Sequence, residues 1–274
     1  MRKQIITFTT LTILAGILFL SCKSGKKQIF DSTTFDSIRV NVTTRLFNDT
    51  AAPGNNLVIN YVYPVKSVNP VLTDSINAAL VANCFGTGYE GLDAKAAVDS
   101  FQTTYAKEYR SDVEPLYLED RKNNPDEKVW PWFNYYCSIE AHPLNVNSGI
   151  LVYKLENSSY TGGAHGMYST TYLNFRPETG QVIRLKNLFK PGSEKQLNRL
   201  LLEKLMKDTN SGSLKELQDK AYLQDTDMYP SENFCLTNDS ITFVYNVYEI
   251  APYSSGITEI TLPLSNLNDL MIKK

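Results

Sequence analysis

Two hydrophobic periods follow one another in this chain, and their order constrains its fold more than any single motif. Residues 35–47 alternate with period two and place Ile38, Val40, Val42, Thr44 and Leu46 on one face, as in a half-buried strand. Residues 48–56, which include Pro53-Gly54, read as a turn, and 57–63 as the hairpin partner, stopped by Pro64. The period then changes. Between 71 and 84, Leu72, Ile76, Ala79, Leu80 and Cys84 recur at helical spacing; after Gly86, Gly88 and Gly91, a second stripe over 92–109 holds Ala94, Ala97, Val98, Phe101, Tyr105 and Tyr109. Residues 119–128, with Asn123-Asn124-Pro125-Asp126, are expected to form a charged loop.

Strand-sized runs return at 132–141, 149–160 and 168–175. Pro177-Glu178-Thr179-Gly180 should turn the chain into a fourth run at 181–185. A helix capped by Ser193 carries Leu197, Leu200, Leu201 and Leu205, and a shorter amphipathic piece spans 214–222. Three more strands are expected at 234–237, 241–246 and 257–262, before a final turn capped by Ser265. Strands and helices are segregated rather than alternating. The expected fold is therefore α+β, with antiparallel β-sheet or sheets packed against a few amphipathic helices.

The first residues give an expected address. Arg2 and Lys3 precede an apolar run over 5–20, shorter than the ~20 residues needed to span a bilayer and suited to a secretory leader. Leu18-Phe19-Leu20-Ser21-Cys22 resembles the lipobox of bacterial lipoproteins, with Phe19 where the pattern prefers leucine. Residues 1–21 are thus expected to be a lipoprotein signal peptide, Cys22 the lipidated residue, and 22–34 the tether. More than one acyl chain gives stable anchoring. Eight extended tether residues reach at most ~28 Å, so the body would stay close to a membrane in the cell envelope, facing the periplasm.

Composition narrows the chemistry. The chain is 42% hydrophobic and 20% charged, with a formal charge of -2, which supports a packed core and excludes a strongly basic nucleic-acid binder. Without Arg2, Lys3, Lys23, Lys26 and Lys27 the charge falls to -7, an acidic body on a basic tether. Such a body suits a cationic protein better than an anionic polymer. Only two histidines are present. There is no Gly-x-Ser-x-Gly, His-Glu-x-x-His, Cys-x-x-Cys or phosphate-loop motif, and Asp225-Thr226-Asp227 fails as a calcium loop at Tyr229 and Pro230. No cofactor or metal is expected. Cys84, Cys137 and Cys235 allow one bridge with one free thiol, or three buried thiols; spacing does not choose. The 17 tyrosines are accounted for mainly by core and sheet packing, with an aromatic binding platform as the second reading.

The one sharp local feature is Tyr160-Thr161-Gly162-Gly163-Ala164-His165-Gly166. Its glycines permit positive φ and close backbone approach, so the loop could offer amides to an anion or hold His165 as an acid–base group or metal ligand. The competing reading is a tight bend between strands. His142, beside Pro143, is the only other histidine and lies at a strand end.

Residues 160–166, 174–180 and 185–189 resemble the signature region of RsiV-type extracytoplasmic domains. Residues 245–256, with Tyr248-Glu249-Ile250-Ala251-Pro252-Tyr253, are similar to the closing part of the same domain. Val62-Tyr63-Pro64 and Ser75-Ile76-Asn77 resemble the companion module of PdaC-type peptidoglycan deacetylases. The resemblance implies a PdaC-companion-like module over 35–160 and an RsiV C-terminal-like module over 161–274, in one shared sheet or in two. RsiV-type anti-sigma factors bind lysozyme with their outer domain, whereas PdaC-type enzymes keep their metal site in a separate domain that has no match here. What the resemblance implies is a non-catalytic binding or sensing lipoprotein for a lysozyme-like protein or a cell-wall ligand. The candidate surface is Tyr160, Gly162, Gly163, His165, Gly166, Glu249 and Tyr253, with Glu249 bonded to His165. The alternative is a hydrolase- or deacetylase-related enzyme using His165 as general base.

Overall fold

β1 (Thr34–Arg45) keeps its expected alternation: Ile38, Val40, Val42 and Thr44 are half-buried, while Arg39, Asn41, Thr43 and Arg45 are exposed. Residues 30–67 and 69–273 are described in this computed structural model; the expected signal peptide, Cys22 and the basic part of the expected tether lie outside them. Among the described residues no helix is long and apolar enough to cross a membrane. β2 (Gly54–Lys66) pairs antiparallel with β1 and runs through Pro64 instead of stopping there. The strand on the far side of β2, at 135–144, accompanies it only from Asn55 to Tyr61, and the opposite neighbour Phe35 sits at a register shift, so a residue without an N–H is tolerated.

α1 (Pro70–Phe85) begins where the Asn69 side chain accepts from the Val71 N–H, and α2 (Ala94–Asn123) where Asp93 accepts from Ala96. α2 is much longer than its apolar stripe. It passes through the exposed Pro115 and absorbs the first half of the expected charged loop. The reason is tertiary. Tyr109 and Val113 pack with Leu46, Ala52 and Phe133 over the end of the β1–β2 hairpin, and Arg121 pairs with Asp120 and lies over the Tyr117 ring.

The α1–α2 crossover returns the chain as β3 (Tyr135–Leu144), parallel to β2. The expected α+β class holds, with two mostly antiparallel sheets; the β2–β3 pair is the parallel exception, and a helical crossover is the connection that makes it possible. β4 (Leu151–Tyr160) and β5 (Met167–Phe175) add antiparallel, completing the order β1-β2-β3-β4-β5. One face, with Leu57, Ile59, Tyr61, Ile139, Ala141, Tyr153 and Leu155, packs on α1 and the first half of α2. The expected fourth run after Gly180 is reduced to a single bridge, Phe175 to Val182, before a short turn of 3-10 helix at Leu185–Asn187.

α3 (Glu194–Asp208) and α4 (Leu214–Asp219) precede β6 (Phe234–Leu236), β7 (Ser240–Tyr245) and β8 (Thr258–Pro263), an antiparallel three-stranded sheet. Ser193 stands before α3 but does not cap it: its hydroxyl donates to the Lys190 carbonyl at 2.7 Å. Ser213 does cap α4, accepting from Glu216. A second core of Leu197, Leu201, Leu205, Phe234, Phe243 and Ile260 fills this half.

Three asparagines join the two halves. Asn174 Nδ2 donates to the Phe234 carbonyl at 2.6 Å and its Oδ1 accepts from Leu236 at 3.0 Å. Asn233 bridges the Tyr172 N–H and the Thr170 carbonyl, and Asn246 accepts from the Thr170 N–H. Side-chain amides thus satisfy the outer edge of β5, where a sixth strand would otherwise bind. Cys84, Cys137 and Cys235 are all free and buried, so none of the bridged pairings forms; burial pushes the Cys84 thiol up to about 12 and the other two to about 11.

Candidate functional site

The loop between β4 and β5 folds back over the strand ends that carry it. The Tyr160 hydroxyl donates to the Gly163 carbonyl at 3.0 Å, and Gly163 has φ 105°, a conformation that favours glycine. Gly166 is required for a different reason. A Cβ there would fall 2.7 Å from the Ser159 carbonyl oxygen and 2.8 Å from the Tyr136 hydroxyl. The same fold brings Gly162 against the backbone of Trp132.

His165 is exposed at the tip, yet both of its ring nitrogens are engaged. Nδ1 lies 2.9 Å from the Gly166 carbonyl, which can only accept, so the proton sits on Nδ1. Nε2 is left to accept from the Tyr248 hydroxyl at 3.2 Å. The imidazole stacks on Tyr253 with 4.0 Å between centroids and 24° between planes, and Tyr168 meets Tyr253 edge-on at 5.5 Å. Tyr248, 57% exposed, lies 5.9 Å from Tyr253 and holds φ 71°. Its turn is closed by Tyr248 N–H to the Ala251 carbonyl and Glu249 N–H to the Asn246 carbonyl. Desolvation raises the Tyr253 phenol above its ordinary value, with smaller electrostatic contributions from the Tyr168, Tyr136 and Tyr248 phenols.

Of the residues singled out in the sequence, Tyr160, Gly162, Gly163, His165, Gly166 and Tyr253 come together. Glu249 does not join them. The expected Glu249–His165 bond is replaced by Tyr248–His165; Glu249 bonds to Asn246, and desolvation raises its carboxyl while those bonds draw it back. It lines a cleft of about 320 Å³ with Gln224, Asp225 and Thr226, which Tyr248 borders from the cluster side. Successive residues of a tight turn point different ways, so Tyr248 takes the place expected of its neighbour. Sequence reasoning also missed Tyr136 and Tyr168. Tyr136 pairs across the sheet with Tyr160, the rings at 17° and 6.3 Å, a relation that the β3–β4 hairpin pattern could have revealed. His142 lies elsewhere, 3.1 Å from Glu140. Among the described residues no group of three His, Cys, Asp or Glu could hold a metal ion.

Similarity to known proteins agrees with this two-part architecture. The family model described as Deacetylase PdaC matches residues 53–168, and that of a protein of unknown function, DUF3298, matches 186–265. A crystal structure of a DUF3298 family member from Bacteroides fragilis has a TM-score of 0.83 at 41% identity, covering 90% of this chain and 96% of that one. The chain belongs to the DUF3298 family. A DUF3298 family structure from Pseudomonas aeruginosa, at 16% identity with a TM-score of 0.59, covers 89% of this chain and 96% of its own and shares the fold. No curated protein matches the chain. In this DUF3298 protein the PdaC-related segment runs from the start of β2 to the first residues of β5, and the DUF3298 segment takes in α3 to β8. The tyrosine–histidine cluster is therefore assembled from both, with Tyr136, Tyr160 and His165 from the first and Tyr248 and Tyr253 from the second.

Proposed function

We propose that this DUF3298 protein is a non-catalytic recognition module of the bacterial cell envelope. It is held at a membrane through acylated Cys22 and binds a protein or cell-wall ligand with the tyrosine–histidine cluster. Tyr248 carries the reading. An L residue in the left-handed region costs about 1–2 kcal/mol, and here that residue is a largely exposed aromatic touching His165. Strain of this kind concentrates at functional surfaces, where its cost is offset by what it positions. Exposed Trp132, Tyr136 and Met167 beside the cluster add the side-chain types that dominate recognition surfaces.

His165 favours binding over proton transfer, since each ring nitrogen already has a partner and neither partner is a carboxylate. The acidic body and the resemblance to RsiV-type domains support a cationic protein such as lysozyme as ligand, with attraction that weakens as salt screens it. The test titrates the full-length protein in detergent with lysozyme and with soluble peptidoglycan fragments. Saturable binding to one of them is expected, and His165→Ala/Tyr253→Ala should weaken it by about tenfold while moving the melting temperature by less than about 4 °C. Equal binding by the double variant, or binding to neither ligand, overturns the reading. Glycan turnover abolished by His165→Ala would replace it with an enzyme.

A further inference from the structure

The face of the five-stranded sheet turned away from α1 and α2 carries an ordered set of side chains that continues inward from the cluster's Tyr136 and Tyr160. Residues two apart on a strand share a face, about 7 Å from row to row. Along β3 and β4 the paired rows are Tyr136/Tyr160, Ser138/Ser158, Glu140/Glu156 and His142/Lys154. The next pair, Leu144/Val152, is covered by the core of the second half, which closes the track at that end. At the other end it opens at the tyrosines. Tyr168 of β5 and Ile257 form one wall of a cleft of about 320 Å³ over the serine and glutamate rows, a volume within the range of small-ligand sites.

We propose that this track binds an uncharged, hydroxyl-rich chain, an oligosaccharide, lying along β3 and β4. The proposal rests on the recognition reading above and names a ligand class for the adjoining face.

Charge selects the ligand. Carboxylates directly opposite one another are unfavourable in a sheet, and here each is held from the next row: Glu140 Oε2 by His142 at 3.1 Å, Glu156 Oε1 by Lys154 at 2.7 Å. Arg39, in the Glu140/Glu156 row on β1, and Lys154 match the two carboxylates in number, so these two rows carry as many fixed cations as anions. Rows with balanced charge give a polyanion or a polycation no run of like charge to pair with. What they offer is hydrogen bonding. A carboxylate accepts at both oxygens, and the His142 ring and the Lys154 ammonium each occupy one, which leaves the other for neighbouring hydroxyl donors; serine hydroxyls donate and accept. Asn56, beside Tyr136, extends the polar floor and bonds Thr43 at 3.2 Å. The Tyr136 and Tyr160 rings, nearly parallel, provide an apolar body with a polar tip against the C–H face of a sugar ring. Three row spacings span about 20 Å, room for several sugar units.

The experiment is calorimetric titration of the full-length protein in detergent with two uncharged tetrasaccharides, of N-acetylglucosamine and of glucose, and with hexalysine as a charged control. One tetrasaccharide should bind, with affinity unaffected by added salt. Glu156→Gln and Tyr136→Ala should each weaken binding by about tenfold, while Tyr136→Phe keeps the ring and the affinity. No sugar binding, sugar binding indifferent to Tyr136→Ala and Glu156→Gln, or tighter and salt-sensitive hexalysine binding overturns the proposal. The loop cluster is tested apart. If His165→Ala/Tyr253→Ala abolishes binding of lysozyme or peptidoglycan fragments while no tetrasaccharide binds, recognition by the loops stands and the track falls. If tetrasaccharide binds and the loop variants affect no ligand, the track stands and the loop reading falls.

Discussion

Tyrosines on opposite faces of the five-stranded sheet differ in almost everything but composition. Tyr61 and Tyr153 face the helices, fully buried, with Tyr153 edge-on to Phe175 at 6.0 Å and Tyr61 against Phe85 at 5.3 Å. Their hydroxyls have no hydrogen-bond partner, and burial pushes both phenols far above the ordinary value. Tyr136, Tyr160 and Tyr168 face the other way, partly open to solvent and in contact with one another or with the loop cluster. On β4 the two kinds are seven residues apart, an odd separation, which in a strand means opposite faces. A count of tyrosines cannot distinguish packing from recognition. Strand parity relative to the helices can.

The largest effect that separates the two populations is on stability. Tyr153→Ala empties a fully buried ring site and should cost about 3–5 kcal/mol, read as a lower denaturant midpoint. Tyr160→Ala, at the strand end beside solvent, should cost less than about 1 kcal/mol. Equal losses would mean that the two faces are not energetically distinct.

The packed face was the legible one. Alternation in β1 and the stripes of α1 and α2 follow from residue order alone, because each period repeats within its own element. The second half of α2 was not legible: its apolar contacts, Leu46, Ala52 and Phe133, come from distant segments, and its charged run has no period of its own. Nor was the parallel β2–β3 pair, since direction is decided by the crossover rather than by either strand. In the candidate site the glycine-rich loop and His165 stood out locally. Tyr248 lay within the marked 248–253 run, with its neighbour Glu249 as the expected contact; Tyr136 and Tyr168 did not stand out, because the seam that joins the two halves is formed by Asn174, Asn233 and Asn246 across 60 to 76 residues. Asparagine at a strand edge has no periodic signature.

Alkaline pH offers the next largest effect. Desolvation is the first cause raising the Tyr109 phenol to about 12 and the Tyr172 phenol to about 12, against about 10 for an unfolded tyrosine. Their folded-state pKa values are raised, so this contribution is fully present below about pH 10 and is lost as pH rises toward 12. For the buried Tyr109 the slope is about 1.4 kcal/mol per pH unit in that window. Stability measured at a series of pH values should be flat to this term below pH 10 and fall above it, with tyrosinate absorbance rising as the protein unfolds. Tyrosinate that forms fully while the fold survives would show that the packed face admits water.

A smaller effect probes the orphan hydroxyls. Tyr61→Phe removes a buried oxygen with no partner and keeps the ring stacked on Tyr63 and tilted against Phe85, so stability should rise by up to about 1 kcal/mol. A loss instead would reveal a bridging water between the Tyr61 and Tyr153 hydroxyls.

The smallest effect bears on the exposed cluster and has the opposite sign for stability and binding. Tyr248 holds φ 71° with most of its ring in solvent, so replacing it by glycine removes backbone strain while losing little packing. Glycine also enlarges the unfolded ensemble, which offsets part of the gain, leaving a net stabilisation of about 0.5–1 kcal/mol. The same change removes the hydroxyl that His165 Nε2 accepts and one of the rings around Tyr253, so ligand binding should weaken by about tenfold. Tyr248→Asn tolerates the left-handed region and would recover stability without the ring, which isolates the aromatic contribution. Were Tyr248→Gly to lower both stability and binding, the ring would belong with Tyr153, as packing that happens to be exposed. A rise in one with a fall in the other is what distinguishes a residue kept for contact from one kept for the core.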